Sequence, residues 1–140
     1  MDLEVDTETG EIEILKIASA YDVGKAINPD LVLAQIEGGA VQGASSAFEA
    51  LQFDEEGRPL NPSFVDYRIM TSVDVPHEIV GDIVETPLED GPWGARGVGE
   101  HVMVQTAPAI ANAIHDAVGI RFSSLPLSAE KVFLALQQAE

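Results

Sequence analysis

The feature that most constrains the fold is a glycine-rich run at residues 93–100, which reads WGARGVGE. Each glycine adds backbone freedom and packs no side chain, so such a run is a poor way to build a core. The residues that follow are helix-forming, which places Glu100 near a helix start, beside unpaired backbone N–H groups. A carboxylate there has two interpretations. It complements the helix dipole, which is the commoner case, or it is a general base presented to a substrate or cofactor.

Charge and cysteine content exclude several classes of site. The 140 residues include 24 acidic and 7 basic ones, a formal net charge of −17. Nucleic acid and anionic membrane surfaces need clustered Lys and Arg, so both are disfavoured as partners. With no cysteine, the chain can hold neither a disulfide nor an iron–sulfur cluster, and its three histidines show no metal-ligand spacing. We therefore expect no metal ion held by the side chains of this chain.

The length predicts one domain, residues 1–140, and 46% apolar residues are enough for a core. No run reaches the ~18 apolar residues of a membrane span. The first residues lack the basic start and apolar segment of a signal peptide, which predicts a soluble, cytoplasmic protein. A strand pattern begins at the first residue, so we expect a fragment of a longer protein or one subunit of a split protein.

Alternating apolar and polar residues predict β structure. Residues 2–17 hold two alternating runs around a turn and predict a β-hairpin, whose second strand continues to Tyr21. Residues 78–85 are rich in β-branched side chains and predict another strand. Residues 53–59 predict a short strand and turn, and residues 63–73 an irregular segment. In all, we expect four or five strands.

The first helix is predicted from about residue 30 to residue 52. Asn28 can cap it, and Pro29 fits its first position, where the missing N–H has no cost. Apolar residues recur at spacings of three and four, which predicts one face turned to a core. These residues are Leu33, Ile36, Ala40, Ala44, Ala47 and Leu51.

Three glycines, Gly38, Gly39 and Gly43, interrupt this helix. Each costs about 1 kcal/mol relative to alanine in a helix interior, so a compensating reason is expected. Two reasons stay open. Small residues allow tight helix packing, or a bulky ligand lies on this face, with Gln42 beside the glycines as an amide donor and acceptor.

The last third of the chain predicts two more helices. After Glu100 we expect a short turn, then a helix that Thr106 caps and Gly119 ends. Ser128 caps a last helix over residues 129–139. The fold class is therefore α+β: a β-hairpin and short mixed sheet packed against two main helices and a C-terminal helix.

Several short motifs, taken in order, are similar to one known family. They are DVG at 22–24, INP at 27–29, QIEGGAVQG at 35–43, DYR at 66–68, DVP at 74–76, GARGVGE at 94–100, AIANAI at 109–114 and LP at 125–126. The chain resembles the C-terminal part of the molybdopterin-binding large subunit of xanthine dehydrogenase, aldehyde oxidase and carbon monoxide dehydrogenase. Each motif is weak alone, but the ordered set covers nearly the whole chain. The family's subunit is several times longer, which implies part of a larger molybdopterin-binding domain.

The resemblance implies a role in a molybdenum hydroxylase. The family's active-site base is the glutamate of the GVGE motif, which corresponds to Glu100. The resemblance implies that this glutamate takes a proton from a hydroxide on molybdenum, and that the oxygen then attacks an electron-poor carbon. The substrate would be an aldehyde, a purine or another N-heterocycle, or the reaction would be the oxidation of CO. The resemblance further implies that the glycine-bearing helix and the run before Glu100 contact the cofactor. The residues so assigned are Gln42, Gly38, Gly39, Gly43, Gly97, Val98 and Gly99.

The same resemblance implies the cofactor and the partners. The cofactor is molybdenum-molybdopterin, in its cytosine dinucleotide form if the source is bacterial. FAD and [2Fe–2S] clusters are expected on partner chains only. The partners are the remaining part of the molybdopterin subunit, the FAD and iron–sulfur subunits or domains, and a small-molecule substrate. We expect a hetero-oligomer and an oxidoreductase that is active only with its partner chains.

Two other functions remain open at this point. One is a non-catalytic structural or assembly subunit. The other is a stand-alone module in which residues 94–99 bind an anion or nucleotide at a helix N-terminus. Against that module, the chain lacks the strand–GxxxxGK[ST]–helix order, and Glu100 would repel a phosphate. His101 follows Glu100 where relatives often have proline, which leaves the substrate class open.

Overall fold

The computed structural model describes residues 1–139. Its sheet has three strands in the order β1-β2-β3. β1 (Asp2–Val5) pairs antiparallel with β2 (Ile12–Asp22), and β2 pairs in parallel with β3 (Glu78–Val84). The predicted hairpin and the predicted strand after it are therefore confirmed, and the long strand β2 lies at the centre of the sheet.

Three α-helices accompany the sheet: α1 (Pro29–Phe48), α2 (Thr106–Val118) and α3 (Ala129–Ala139). Two short 3₁₀ helices, Pro92–Gly94 and Glu100–Met103, lie in the connection before α2. The predicted α+β class is confirmed. Within residues 1–139, no helix has the length and apolar character that crossing a bilayer requires.

The predicted number of strands, four or five, is wrong for the described residues, which form three. The missing strand is the one predicted at residues 53–59, where Phe53 and Pro59 form only an isolated antiparallel bridge. Proline has no N–H to donate, so a ladder cannot extend through it. Residues 63–73 form irregular turns, as predicted.

The predicted end of α1 at residue 52 is also wrong. Glu49 leaves the helical conformation with φ −123° and ψ 145°, so the helix stops at Phe48. The chain then turns back on itself, because the Gln52 N–H donates to the buried Asn61 side chain at 2.7 Å. Leu51 thus lies outside the helix, 44% exposed, and is not part of the inward face.

Two of the three predicted N-caps are confirmed. The Asn28 and Ser128 side chains each accept a hydrogen bond from the amide three residues on, at 3.1 and 3.3 Å. The predicted cap at Thr106 is wrong. Gln105 occupies that position without a side-chain capping hydrogen bond, and Thr106 is buried, 2% exposed, next to Gly43. A close helix contact, rather than capping, selects the small Thr side chain.

The core forms two clusters. The first packs the sheet, α1 and α2 together and contains Ile14, Ile17, Ala40, Ala44, Ala47, Ile110, Ile114 and Leu127. The second core cluster lies where β2 ends and contains Tyr21, Val23, Ala26, Ile36 and Val102. Full burial of an Ile or Val side chain stabilises by about 1.5–3 kcal/mol, so the second cluster holds its segments firmly. One of those segments is the 3₁₀ helix that begins at Glu100.

Candidate functional site

The run before Glu100 lies along the extension of the central strand. We call residues 94–100 the glutamate loop. Gly24 and Ala95 form an antiparallel bridge, and the Arg96 N–H donates to the Val23 carbonyl at 2.9 Å. Gly24 has φ +67°, and a Cβ there would come within 2.4 Å of the Gly94 carbonyl oxygen. This glycine is needed both for its backbone conformation and for the close approach of the loop.

The Asp22 carboxylate, at the last residue of β2, joins three segments of chain. Its Oδ1 accepts the Gly24 N–H at 2.9 Å and the Thr86 N–H at 3.2 Å, and it lies 3.5 Å from Arg96 Nε. The Gly24 N–H in the first place, then Thr86 and Arg96, lower the pKa of Asp22 below its ordinary value. An ionised carboxylate therefore ties the glutamate loop to the ends of two parallel strands.

The 3₁₀ helix that follows the loop is held by Val102. Its side chain is 1% exposed, and its carbonyl accepts the Tyr21 hydroxyl at 2.5 Å and the Gln105 amide at 3.0 Å. The side chain lies directly against Gly39, where a Cβ would be 1.9 Å from Val102 Cγ2. At Gly43, a Cβ would be 2.5 Å from the Met103 carbonyl oxygen.

Gly39 and Gly43 are therefore the packed glycines of α1. The close approach that they allow is made by the chain's own 3₁₀ helix and the start of α2, which matches the tight-packing interpretation. A cofactor cannot occupy the space that Val102 and Thr106 already fill. Any part that these two glycines have in a cofactor site is consequently indirect, through the position of the 3₁₀ helix.

Three other glycines, Gly38, Gly97 and Gly99, have no such neighbour. A Cβ added to any of them meets nothing within 4 Å, and none of them has a positive φ. We call them the open glycines. Within residues 1–139, neither packing nor a left-handed backbone explains their presence. Gly38 and Gly97 are exposed and Gly99 is half-buried, so a molecule from outside the chain can approach the backbone at these positions.

Val102 joins the two segments of chain that carry the open glycines. The Val102 N–H donates to the Gly99 carbonyl at 3.2 Å, and its side chain covers Gly39, the residue next to Gly38. Gln42 is exposed and stands one helical turn from Gly38, on the same side of α1. The structure thus brings the glutamate loop and the glycine-bearing helix together, as a shared site requires.

Glu100 is the first residue of the 3₁₀ helix and is exposed. Among residues 1–139, no side-chain hydrogen bond is made by its carboxylate. The next residue supports the loop instead: His101 Nδ1 accepts the Gly99 N–H at 3.4 Å, and its ring meets the Tyr21 ring edge-on, with centroids 5.6 Å apart. The carboxylate is therefore available to a molecule bound against the chain.

The structure bears on two further predictions, the role of Val98 and the alternative anion site at Glu100. Val98 is half-buried and packs against the second core cluster, so part of its side chain is engaged in the core. The alternative anion site is weakened, because the helix at Glu100 is a single 3₁₀ turn of four residues, whose dipole is small, and the longer helix starts at Thr106.

Sequence reasoning missed the two residues that hold the glutamate loop. Asp22 lies in the DVG motif, and Tyr21 precedes it, but no local pattern distinguishes their roles. The Tyr21 hydroxyl reaches Val102, 81 positions along the chain. Such a pairing is set by the tertiary structure and leaves no periodic signal in the sequence.

A model of the molybdopterin cofactor-binding domain family matches residues 1–76, more than half of the chain. The chain belongs to this family. The match ends before the glutamate loop, but likeness to relatives extends over nearly the whole molybdopterin-binding chain. The 6-hydroxypseudooxynicotine dehydrogenase complex subunit gamma of Paenarthrobacter nicotinovorans is 34% identical over 138 residues, which are 96% of this chain. The carbon monoxide dehydrogenase large chain of Hydrogenophaga pseudoflava is 31% identical over 140 residues and 97% of this chain.

A comparison with a solved structure gives the same family as the domain match and the relatives. The aldehyde oxidoreductase from Desulfovibrio gigas superposes with a TM-score of 0.85 over 96% of this chain, at 32% identity. These findings confirm the resemblance to large subunits of the xanthine dehydrogenase, aldehyde oxidase and carbon monoxide dehydrogenase family, whose members are molybdenum-dependent oxidoreductases. Family membership likewise supports molybdenum-molybdopterin as the cofactor. The chain spans 17% of each of the two curated relatives and 15% of the solved chain.

Proposed function

We propose that this molybdopterin-binding chain supplies the catalytic base, Glu100, and one wall of the cofactor site to a molybdenum hydroxylase. The observation that carries the proposal is the set of open glycines around the 3₁₀ helix that begins at Glu100. Nothing in the described chain uses their space, and family membership supplies a ligand of the right kind. The exposed carboxylate stands beside that space.

The residues present fit this cofactor. Gly38 lets a planar ligand approach α1 closely, and the Gln42 amide can donate to and accept from its polar edge. Gly97 and Gly99 keep the backbone of the glutamate loop accessible. Gly39 and Gly43 contribute indirectly, because they let the 3₁₀ helix pack against α1 and so fix the distance between α1 and the glutamate loop.

When bound, molybdenum-molybdopterin would activate a water-derived oxygen and would accept two electrons from the substrate. The chain's own contribution is a proton acceptor. An ionised Glu100 takes a proton at a carboxylate oxygen from the attacking oxygen, which requires a heavy-atom distance of about 2.6–3.2 Å in the bound state. The substrate carbon is electron-poor, as in an aldehyde, a purine or another N-heterocycle, or it is the carbon of CO.

The exposed apolar surface fits a larger assembly. Phe64, Val65 and Val73 are 80%, 77% and 89% exposed, within the irregular segment at residues 63–73. Exposed apolar patches mark interaction surfaces. We propose that this segment meets the remaining part of the molybdopterin subunit.

Further features of the assembly belong to the same proposal. FAD and [2Fe–2S] clusters lie on partner chains; for the clusters, the support is that residues 1–140 contain no cysteine to bind one. The protein is cytoplasmic and hetero-oligomeric, with the cytosine dinucleotide form of the cofactor if its source is bacterial. Residues 1–140 act as one domain, which has no activity alone.

The test is Glu100→Gln in the purified complex that contains this chain. The isosteric amide cannot accept the proton, so kcat is expected to fall by about 10²–10⁴-fold while molybdenum content stays unchanged. Molybdenum is measured by elemental analysis and turnover is expressed per molybdenum. Glu130→Gln is the matched control, since Glu130 also stands in the first turn of a helix but lies on α3.

The outcomes separate the functions. Loss of turnover per molybdenum in Glu100→Gln alone supports the base. Normal turnover per molybdenum in Glu100→Gln rejects it and leaves the structural or assembly subunit as the better description.

A further inference from the structure

We propose that Tyr21 and Asp22, the last two residues of β2, are positioning residues that hold the two ends of the glutamate loop. This inference rests on the proposed function, because the loop matters for catalysis only if Glu100 is the base. It adds two residues that act on Glu100 through the backbone and touch neither substrate nor cofactor.

Asp22 holds the start of the loop. Its carboxylate faces Arg96 Nε at 3.5 Å and also accepts the amides of Gly24 and Thr86. A main-chain hydrogen bond joins the same two segments, since the Arg96 N–H donates to the Val23 carbonyl at 2.9 Å. The Arg96 side chain further donates to the Thr86 carbonyl at 3.4 Å. Residue 96 is thus held by its main chain and its side chain to the end of the central strand.

Tyr21 holds the 3₁₀ helix Glu100–Met103, whose first residue is the end of the loop. Its hydroxyl donates to the Val102 carbonyl at 2.5 Å, and both residues belong to the second core cluster. Tyr21 is 8% exposed, so this hydrogen bond is largely buried, and without it the Val102 carbonyl would keep only the Gln105 side-chain amide as a donor. The Tyr21 ring also meets the ring of His101, the residue directly after Glu100.

Tyr21 and Asp22 are consecutive residues of one strand, so their side chains point to opposite faces of the sheet. One therefore reaches the buried 3₁₀ helix, and the other reaches the exposed start of the loop. Between the two attachments lie Gly97 and Gly99, where a Cβ would meet nothing within 4 Å. A segment with so few contacts of its own depends on its ends for a fixed position.

Such a fixed position matters for a general base. A misplacement of about 1 Å can lower the rate 10²-fold, because the base must meet the reacting proton in the right geometry. Functional side chains are placed most accurately when rigid elements support them. β2 pairs with β1 over Ile12–Lys16 and with β3 from Lys16 through Asp22, so Tyr21 and Asp22 stand on the part of the strand that the parallel ladder with β3 holds.

The test uses Asp22→Asn and Tyr21→Phe in the purified complex. Matched controls are Asp82→Asn, an exposed carboxylate on the neighbouring strand β3, and Tyr67→Phe, at the only other tyrosine of the chain. Hydrogen exchange is followed at the Arg96 and Val102 amides. Each loop variant is expected to speed exchange at its own end about tenfold, as the loss of a hydrogen bond worth about 1.4 kcal/mol implies.

Kinetics supply the second readout. Turnover per molybdenum is expected to fall about tenfold in each loop variant, with KM changed less than about twofold and molybdenum content unchanged. A residue that serves only the overall fold would instead lower the melting temperature or the metal content and leave turnover per molybdenum intact.

Unchanged exchange at both amides overturns the inference, whatever the activity. Faster exchange with unchanged turnover overturns the positioning role as well. Faster exchange at the expected amide with lower turnover supports it. Failure of the proposed function is recognised separately, because it is decided by turnover of Glu100→Gln and not by exchange in these variants.

Discussion

The packed glycines and the open glycines of this chain have opposite surroundings, although Gly38 and Gly39 are adjacent in one helix. At Gly39 a Cβ would overlap Val102, 1.9 Å away, whereas at Gly38 it would meet nothing within 4 Å. Both lower the stability of an isolated helix by about the same 1 kcal/mol relative to alanine. Only at Gly39 does a contact within the described chain offset that loss.

The difference shows that each glycine of a motif has to be assigned to packing or to the open surface before a function is proposed for it. Gly39 and Gly43 allow α1 to pack against the 3₁₀ helix and α2, so they belong to the core. Gly38, Gly97 and Gly99 have no partner of that kind, and in the proposed site they are the glycines that admit a molecule from outside residues 1–139. Alanine substitution can separate the two groups, because it adds one methyl group at each position.

The largest effect is expected for Gly43→Ala. Its Cβ would lie 2.5 Å from the Met103 carbonyl oxygen and 2.6 Å from Thr106 Cβ, and the backbone cannot move away cheaply. The free energy of unfolding is expected to fall by about 1–3 kcal/mol through overpacking, after the gain in helix propensity. Urea denaturation followed by circular dichroism measures it. A more stable Gly43→Ala variant would contradict the packed assignment.

A smaller effect of opposite sign is expected for Gly38→Ala. The added methyl group meets no atom within 4 Å, so the free energy of unfolding should rise by up to about 1 kcal/mol from helix propensity. The same substitution should lower molybdenum content of the complex, because the methyl group enters the proposed cofactor space. A variant that is stabilised and loads molybdenum normally would remove Gly38 from the site.

The smallest effect is the pH dependence of the contacts that hold the glutamate loop. Asp22 and Glu85 both have a pKa below the ordinary values of 3.8 and 4.5, Asp22 chiefly through the Gly24 N–H and Glu85 chiefly through Lys25. A carboxylate with a lowered pKa stabilises the fold above its unfolded pKa, and that stabilisation is lost as the pH falls through the folded value.

Acid should therefore loosen the glutamate loop before the packed side of α1. Hydrogen exchange of residues 94–96, corrected for its intrinsic pH dependence, is expected to accelerate as the pH falls from about 5 to about 3. Amides around Gly43 should respond later. Asp22→Asn should weaken the response at the loop. Equal responses at both places would show that these carboxylates do not hold the loop.

Much of the fold could be predicted because its signals are local. The hairpin follows from alternation, α1 and α3 begin directly after Asn28 and Ser128 as their capping chemistry indicates, and Gly119 ends α2 with φ +75°. The errors arose where a distant contact overrides a local pattern. After α1 the Gln52 N–H donates to the Asn61 side chain, and the helix has already ended. Thr106 packs against Gly43 and is buried, so it does not cap α2.

The sequence by itself determined the hairpin, the strand β3, the three helices apart from the end of α1 and the cap of α2, the short turn that carries Glu100, and the family that its ordered motifs resemble. Helical periods, caps and turns act within about four residues, so they can be read directly along the chain. The tertiary structure alone decided which glycines are packed and which are open, and that consecutive residues of β2 hold both ends of the glutamate loop. Those contacts join segments as many as 81 residues apart. They depend on the parallel register of β2 with β3 and on how closely α1 approaches the 3₁₀ helix, neither of which a local pattern encodes.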